Sequence, residues 1–169
     1  MARFVTLFIL VLLVLFGLEM LGPVHQRVVE PFTGFIASLS AWLVVPFDES
    51  VVAYGRVLRD GASGFAVSIE SGCNGVEATI VLIAAVLAYP ASWLQKLVAI
   101  SCGFVAIQAA NLLRIISLFY LGQWNLEVFN WIHLYLWPVL IMLDVLVVFV
   151  IYLRYISVHD EDNTSVSPA

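Results

Sequence analysis

From Leu97 to Leu121 the sequence carries one charged side chain, Arg114, and from Asn130 to Leu153 it again carries one, Asp144. A third run, Phe4–Leu21, holds only Glu19. About 20 mostly apolar residues suffice to cross a bilayer as a helix. Water cannot be the solvent for such a chain. Apolar residues make up 63% of the 169 positions and charged ones 11%, against about 25% in an ordinary soluble domain. This is the composition of an integral membrane protein.

Two further runs are shorter. Gly75–Tyr89 reads as a fourth, short span, and Phe32–Phe47, with Gly34, Ser38, Ser40 and Pro46, reads as an interfacial or re-entrant helix. Between them "RVLRDGASGFAVSIE" alternates around Asp60-Gly61 and Ser63-Gly64 turn signals and predicts a small β-hairpin. The expected fold is an all-α polytopic membrane protein with about four transmembrane helices, that extra helix and the hairpin. One domain covers 1–158, and the acidic segment 159–169 is expected to be disordered and cytoplasmic. The first apolar run continues to Leu21 without a small-residue cleavage site, so it predicts a retained helix rather than a cleaved signal. Lys and Arg set orientation, but here they tie. Four spans put Arg3, Lys96 and Arg154 on one side and Arg27, Arg56 and Arg59 on the other, and a fifth span merely regroups them.

Composition also excludes. Two cysteines give no disulfide framework. No CxxC, HExxH, P-loop or GxGxxG is present, so no metal or cofactor is expected. No basic patch suggests nucleic acid.

The remaining polar residues cluster. Consecutive spans alternate direction, so the start of the third run, the end of the fourth and the start of the last share one membrane face under either topology. That places Cys73, Arg114 and His133 on the same side. Gln108, Asn111 and Arg114 follow at i, i+3 and i+6, a polar stripe on one helix face. A guanidinium eight residues before Gly122 either snorkels to the interface or faces protein or a wet cavity, since the bilayer centre costs it about 2.5 kcal/mol or more. Glu77 either pairs with Arg114 or serves as an acid favoured by a helix N-terminus. Cys73, at or just before that terminus, is expected to have a lowered thiol pKa, with Gly72 and Gly75 leaving room for a substrate backbone. Cys102, mid-helix, reads as a small core residue. Asp144, about 20° round the helix from His133, is a candidate structural partner deeper down. A cysteine, a histidine and a fixed cation on one face fit covalent acyl transfer.

The order "ESGCNGVEA" (Glu70–Ala78), "NLLRI" (Asn111–Ile115) and a histidine opening the last helix (His133) resembles the exosortase/archaeosortase family. Its short length is most similar to the exosortase H type of Gram-negative bacteria. Asn74 stands where many members have serine. The resemblance implies a membrane cysteine peptidase/transpeptidase acting on exported proteins that carry a C-terminal motif, transmembrane helix and basic cluster, of the Ile-Pro-Thr-Leu type in that subgroup. It implies Cys73 as nucleophile, His133 as general acid/base and Arg114 as the stabilising cation oriented by Asn111. Glu70, Asn74 and Glu77 would support them. It places the site on the extracytoplasmic side of the inner membrane with both termini inside, and leaves the acceptor open between water, an amine and a lipid.

Three other readings stand beside it. A non-catalytic scaffold would use an Arg114–Glu77 pair and leave Cys73 idle. A small transporter would depend on Asp144 more than on Cys73. A purely hydrolytic intramembrane protease would share every residue with the transpeptidase.

Overall fold

The structure, a computed structural model, describes residues 2–165, with side chains described to Ser157. Its axis is α5 (Trp93–Trp124). At 1.5 Å per residue this helix is about 48 Å long, well beyond the roughly 30 Å hydrocarbon core. It is long enough to cross with residues to spare. Ser92 starts the helix with a capping box, its hydroxyl accepting from Gln95 N and its own N–H donating to Gln95 Oε1. Lys96 Nζ reaches back to the Leu87 carbonyl, satisfying the end of the preceding helix.

Among the described residues, three helices are long and apolar enough to cross a membrane: α1 (Ala2–Glu19), α5, and the stretch Leu126–Ser157. The last comprises α6 (Leu126–Trp131), a π-helical turn (Ile132–Leu136) and the start of α7 (Trp137–Ser165). The run expected as a fourth span forms α4 (Val76–Ala88), whose 13 residues are fewer than a crossing needs. Residues 22–44 are helical throughout: α2 (Gly22–Val24), a second π turn (His25–Val29) and α3 (Glu30–Val44). The expected helix Phe32–Phe47 thus begins earlier and ends before Pro46. Proline follows each π turn closely, Pro31 after the first and Pro138 after the second. A proline lacks the N–H for the i−4 carbonyl and crowds it, and in each case the residue just before it, Glu30 or Trp137, donates to the i−5 carbonyl of His25 or Ile132.

The hairpin is one strand larger than the sequence suggests. β1 (Val51–Tyr54), β2 (Val57–Asp60) and β3 (Ala66–Ser68) make an antiparallel sheet in the order β1-β2-β3. Gly55, at φ +54°, turns β1 into β2. The Asp60 carboxylate organises the β2–β3 loop, accepting from Ala62 N (2.8 Å), Ser63 N (3.0 Å) and the Ser50 and Ser63 hydroxyls.

Two cores meet on α5. One joins Leu82 and Val86 of α4 to Ile107 of α5 and Ile141 and Val145 of α7. Gly103 makes this contact possible, because a β-carbon there would lie 2.3 Å from Leu82 Cδ2 and 2.8 Å from Val148 Cγ1. The other joins Ile36 and Ala37 of α3, Val51 and Leu58 of the sheet, and Ile115 and Phe119 of α5. Phe65 seats the sheet, its ring 6.0 Å from that of Phe119 and against Gly122. α1 packs on α4 and touches α7 through Phe4, 6.4 Å from Phe149. Cys102 is exposed rather than in the core, on an open apolar groove between α5 and α7. The tail expected to be disordered, 159–169, lies outside the residues described in full.

Candidate active site

β3 runs through Ile69 and Glu70 into a tight loop, residues 70–75, that ends at α4. Gly72 (φ +83°) and Gly75 (φ +78°) bracket Cys73-Asn74 and turn the chain twice in the left-handed region. The Cys73 N–H closes a turn onto the Glu70 carbonyl at 2.9 Å. Gly72 borders open space. At Gly75 a β-carbon would meet Gln108 Nε2 at 2.7 Å, and this glycine lines a chamber together with Gly72.

Asn74 is fully buried and ties the loop to the rest of the molecule. Its Oδ1 accepts from Val76 N at 3.0 Å, starting α4, and its Nδ2 donates to Thr33 Oγ1 of α3 at 3.0 Å. Thr33 is buried too, its hydroxyl donating to the Val29 carbonyl in the π turn. Sequence reasoning missed Thr33, since a threonine bonding one turn back looks like any other helical threonine.

Arg114 neither snorkels nor pairs with Glu77. It is 5% exposed, and its Nη1 donates to the Gly72 carbonyl at 3.2 Å while Nη2 reaches Cys73 Sγ at 3.2 Å. Glu77 instead accepts from the Gly72 N–H. The ion pair formed among the described residues is Arg56–Glu70 at 3.0 Å, on the surface. Nor does Asn111 orient Arg114: both its amide atoms are buried without a hydrogen-bond partner, as are those of Gln108. The predicted stripe is therefore wholly buried; Gln108 packs against Gly75 at the end of the cysteine loop, and Arg114 reaches Gly72 and Cys73 within it. Asn111 lines a chamber of about 330 Å³ with Gly72, Glu77 and Arg114, walled on its apolar side by Phe16 and Met142.

His133 sits in the π turn Ile132–Leu136. Its ring stacks on Phe129, centroids 5.6 Å apart and planes within 9°, an i, i+4 pair legible in "FNWIH". Cys73, Arg114 and His133 line one cavity of about 100 Å³ with Ser68, Glu70 and Phe129. Asp144 is not on it, although its Oδ2 is buried and unpartnered. The π turn adds one residue between the two, which rotates everything after it by about 100° and cancels the expected alignment.

The thiol's electrostatics reverse the sequence expectation. Burial pushes the Cys73 pKa up; the Arg114 guanidinium pulls it down, and Glu77 and Glu70 push it up again. Cys73 lies three positions before Val76, the first residue of α4, beyond the reach of a dipole felt within the first turn. The balance favours the thiol form, held against a cation. Such a site can form a thiolate when a base removes the proton, and the cation then stabilises the charge where it appears.

A family model described as transmembrane exosortase matches residues 1–152. No curated protein and no solved structure matched. The chain belongs to the transmembrane exosortase family and is an integral membrane protein.

Proposed function

We propose that this exosortase is a membrane cysteine peptidase/transpeptidase that cleaves the C-terminal sorting tail of exported proteins and passes the acyl chain to an acceptor. The observation that carries the reading is the Arg114 Nη2 to Cys73 Sγ contact on the wall of a cavity that His133 also lines. Cys73 Sγ attacks the scissile carbonyl as His133 takes the thiol proton. Arg114 holds the developing negative charge, His133 delivers the proton to the departing amine, and a thioester remains on Cys73. An acceptor carrying an O–H or N–H then attacks the thioester and gives its proton to His133, which returns it to the sulfur. No metal or cofactor enters these steps.

Glu77 holds the Gly72 N–H, Asn74 fixes the loop on Thr33, and Glu70 closes the cavity mouth beside Arg56. The scaffold alternative loses its central feature, because Arg114 engages Cys73 rather than Glu77. In the membrane, α4 with the loop leading into it completes a fourth crossing, and both termini are cytoplasmic. The sheet and the site then face the extracytoplasmic side, where an exported substrate arrives.

The test is co-expression of a tagged exported protein bearing such a tail with the wild type and with Cys73→Ala, Arg114→Ala, His133→Ala and Cys102→Ala. Loss of processing in the first three, with normal insertion and with Cys102→Ala active, supports the reading. Processing by Cys73→Ala ends it.

A further inference from the structure

β3 is an edge strand, and its register shows which of its backbone groups are in use. Arg59 pairs with Ala66, Leu58 with Val67 and Val57 with Ser68. The flanking bonds, Asp60 N to Phe65 O and Ile69 N to Arg56 O, both at 2.9 Å, identify Phe65, Val67 and Ile69 as the positions that face β2. The intervening residues, Ala66 and Ser68, therefore aim their N–H and C=O groups away from β2. Among the described residues no strand pairs with that side. Both residues are exposed, and the strand carries none of the prolines, lysines or bulges by which proteins blunt a free edge. This edge also adjoins the chemistry: Val67, Ser68, Ile69 and Glu70 line the same cavity as Cys73, Arg114 and His133. The outer strand at the other side of the sheet, β1, packs against α3 and contributes nothing to that cavity.

We propose that the enzyme takes its polypeptide substrate as an added β-strand on β3, with the Ala66 and Ser68 backbone groups bonding an extended segment whose scissile carbonyl lies at Cys73. This rests on the acyl-transfer reading and specifies how that site takes its substrate. Strand addition explains how so short a sheet can serve recognition, since backbone bonds supply affinity while alternate side chains of the segment meet the cavity wall. It also fixes the substrate's direction and depth without any charged contact, which suits a segment at the boundary of an apolar membrane.

The test is Ala66→Pro. Proline is tolerated at an edge position whose N–H faces outward, because no β2–β3 bond is lost, but it deletes one of the two outward donors and crowds the docking edge. Tagged-substrate processing is expected to fall at least tenfold, while alkylation of Cys73 by iodoacetamide stays within twofold of wild type. Wild-type processing by Ala66→Pro overturns strand addition, and if Cys73→Ala is inactive in the same assay the acyl-transfer reading survives. Should Cys73 alkylation change in Ala66→Pro, hydrogen exchange on the otherwise native Cys73→Ala protein decides. With the tagged substrate bound, amides of Ala66 and Ser68 should slow at least tenfold, and unchanged exchange at both overturns the proposal.

Discussion

Replacing Thr33 by valine keeps the shape of the side chain and removes one oxygen. That oxygen accepts the Nδ2 hydrogen bond of Asn74 at 3.0 Å, and Asn74 has no exposed surface from which water could replace it. A buried donor left without a partner costs about 1–3 kcal/mol. Each 1.4 kcal/mol is tenfold in an equilibrium, so the loop is shifted away from its observed geometry by roughly 5- to 150-fold. Cys73 sits next to Asn74, so the loss falls on the nucleophile's placement against Arg114. Valine also removes the hydroxyl's own bond to the Val29 carbonyl, and we expect Thr33→Val to process tagged substrate at least about fivefold more slowly. Thr33→Ser, which keeps the hydroxyl, should stay within about twofold. Membrane insertion and the yield of folded, detergent-solubilised protein provide the control for folding, and neither should change in either variant. Wild-type processing by Thr33→Val, or an equal defect in Thr33→Ser, would refute the argument.

The charges around Cys73 make the pH dependence of its alkylation informative. Thiolate appears only as pH rises through a pKa that burial has raised, so alkylation should climb at a higher pH than for a free cysteine. Arg114→Gln should move the rise to still higher pH, since an adjacent cation favours the charged form, and Glu77→Gln should move it lower. The two glycines of the loop should separate by their surroundings. Both need positive φ, which costs a β-carbon residue about 1–2 kcal/mol, but Gly75→Ala must also displace Gln108 and should lower the melting temperature more than Gly72→Ala. Breaking the exposed Arg56–Glu70 pair with Arg56→Ala should change stability by less than about 1 kcal/mol. A larger loss in thermal unfolding would mean that the pair anchors the sheet.

Much of this molecule is written in its apolar runs. Leu97–Leu121 and Asn130–Leu153 lie within the two longest spans, and Cys73, Arg114 and His133, expected together from alternating helix direction, line one cavity. The polar stripe Gln108-Asn111-Arg114 announced burial because three such residues at helical spacing in an apolar run have few other places to go. What was illegible depended on partners far along the chain or on small departures from ideal geometry. Thr33 finds Asn74 at a separation of 41 residues, and no local pattern marks it. β1 reads Val51-Val52-Ala53-Tyr54, with no charged or strongly polar residue to set up an alternation, whereas β2 and β3 flank clear turn signals. The π turn at His133 moved Asp144 off the expected face, and a straight 3.6-residue period cannot register that. Arg114 had two plausible partners, Glu77 and Cys73, and the choice was made by the double turn at Gly72 and Gly75, which turns the Gly72 carbonyl and the sulfur toward the same guanidinium.

The measurement closest to the central claim is capture of the acyl-enzyme. Tagged substrate is mixed with detergent-solubilised enzyme, quenched in acid and run without reductant, and the product is treated with neutral hydroxylamine. The account predicts a covalent substrate–enzyme species that hydroxylamine releases, present in Cys102→Ala and missing from Cys73→Ala. Processing of the substrate with no such species at any time, or a species that survives loss of Cys73, would contradict it.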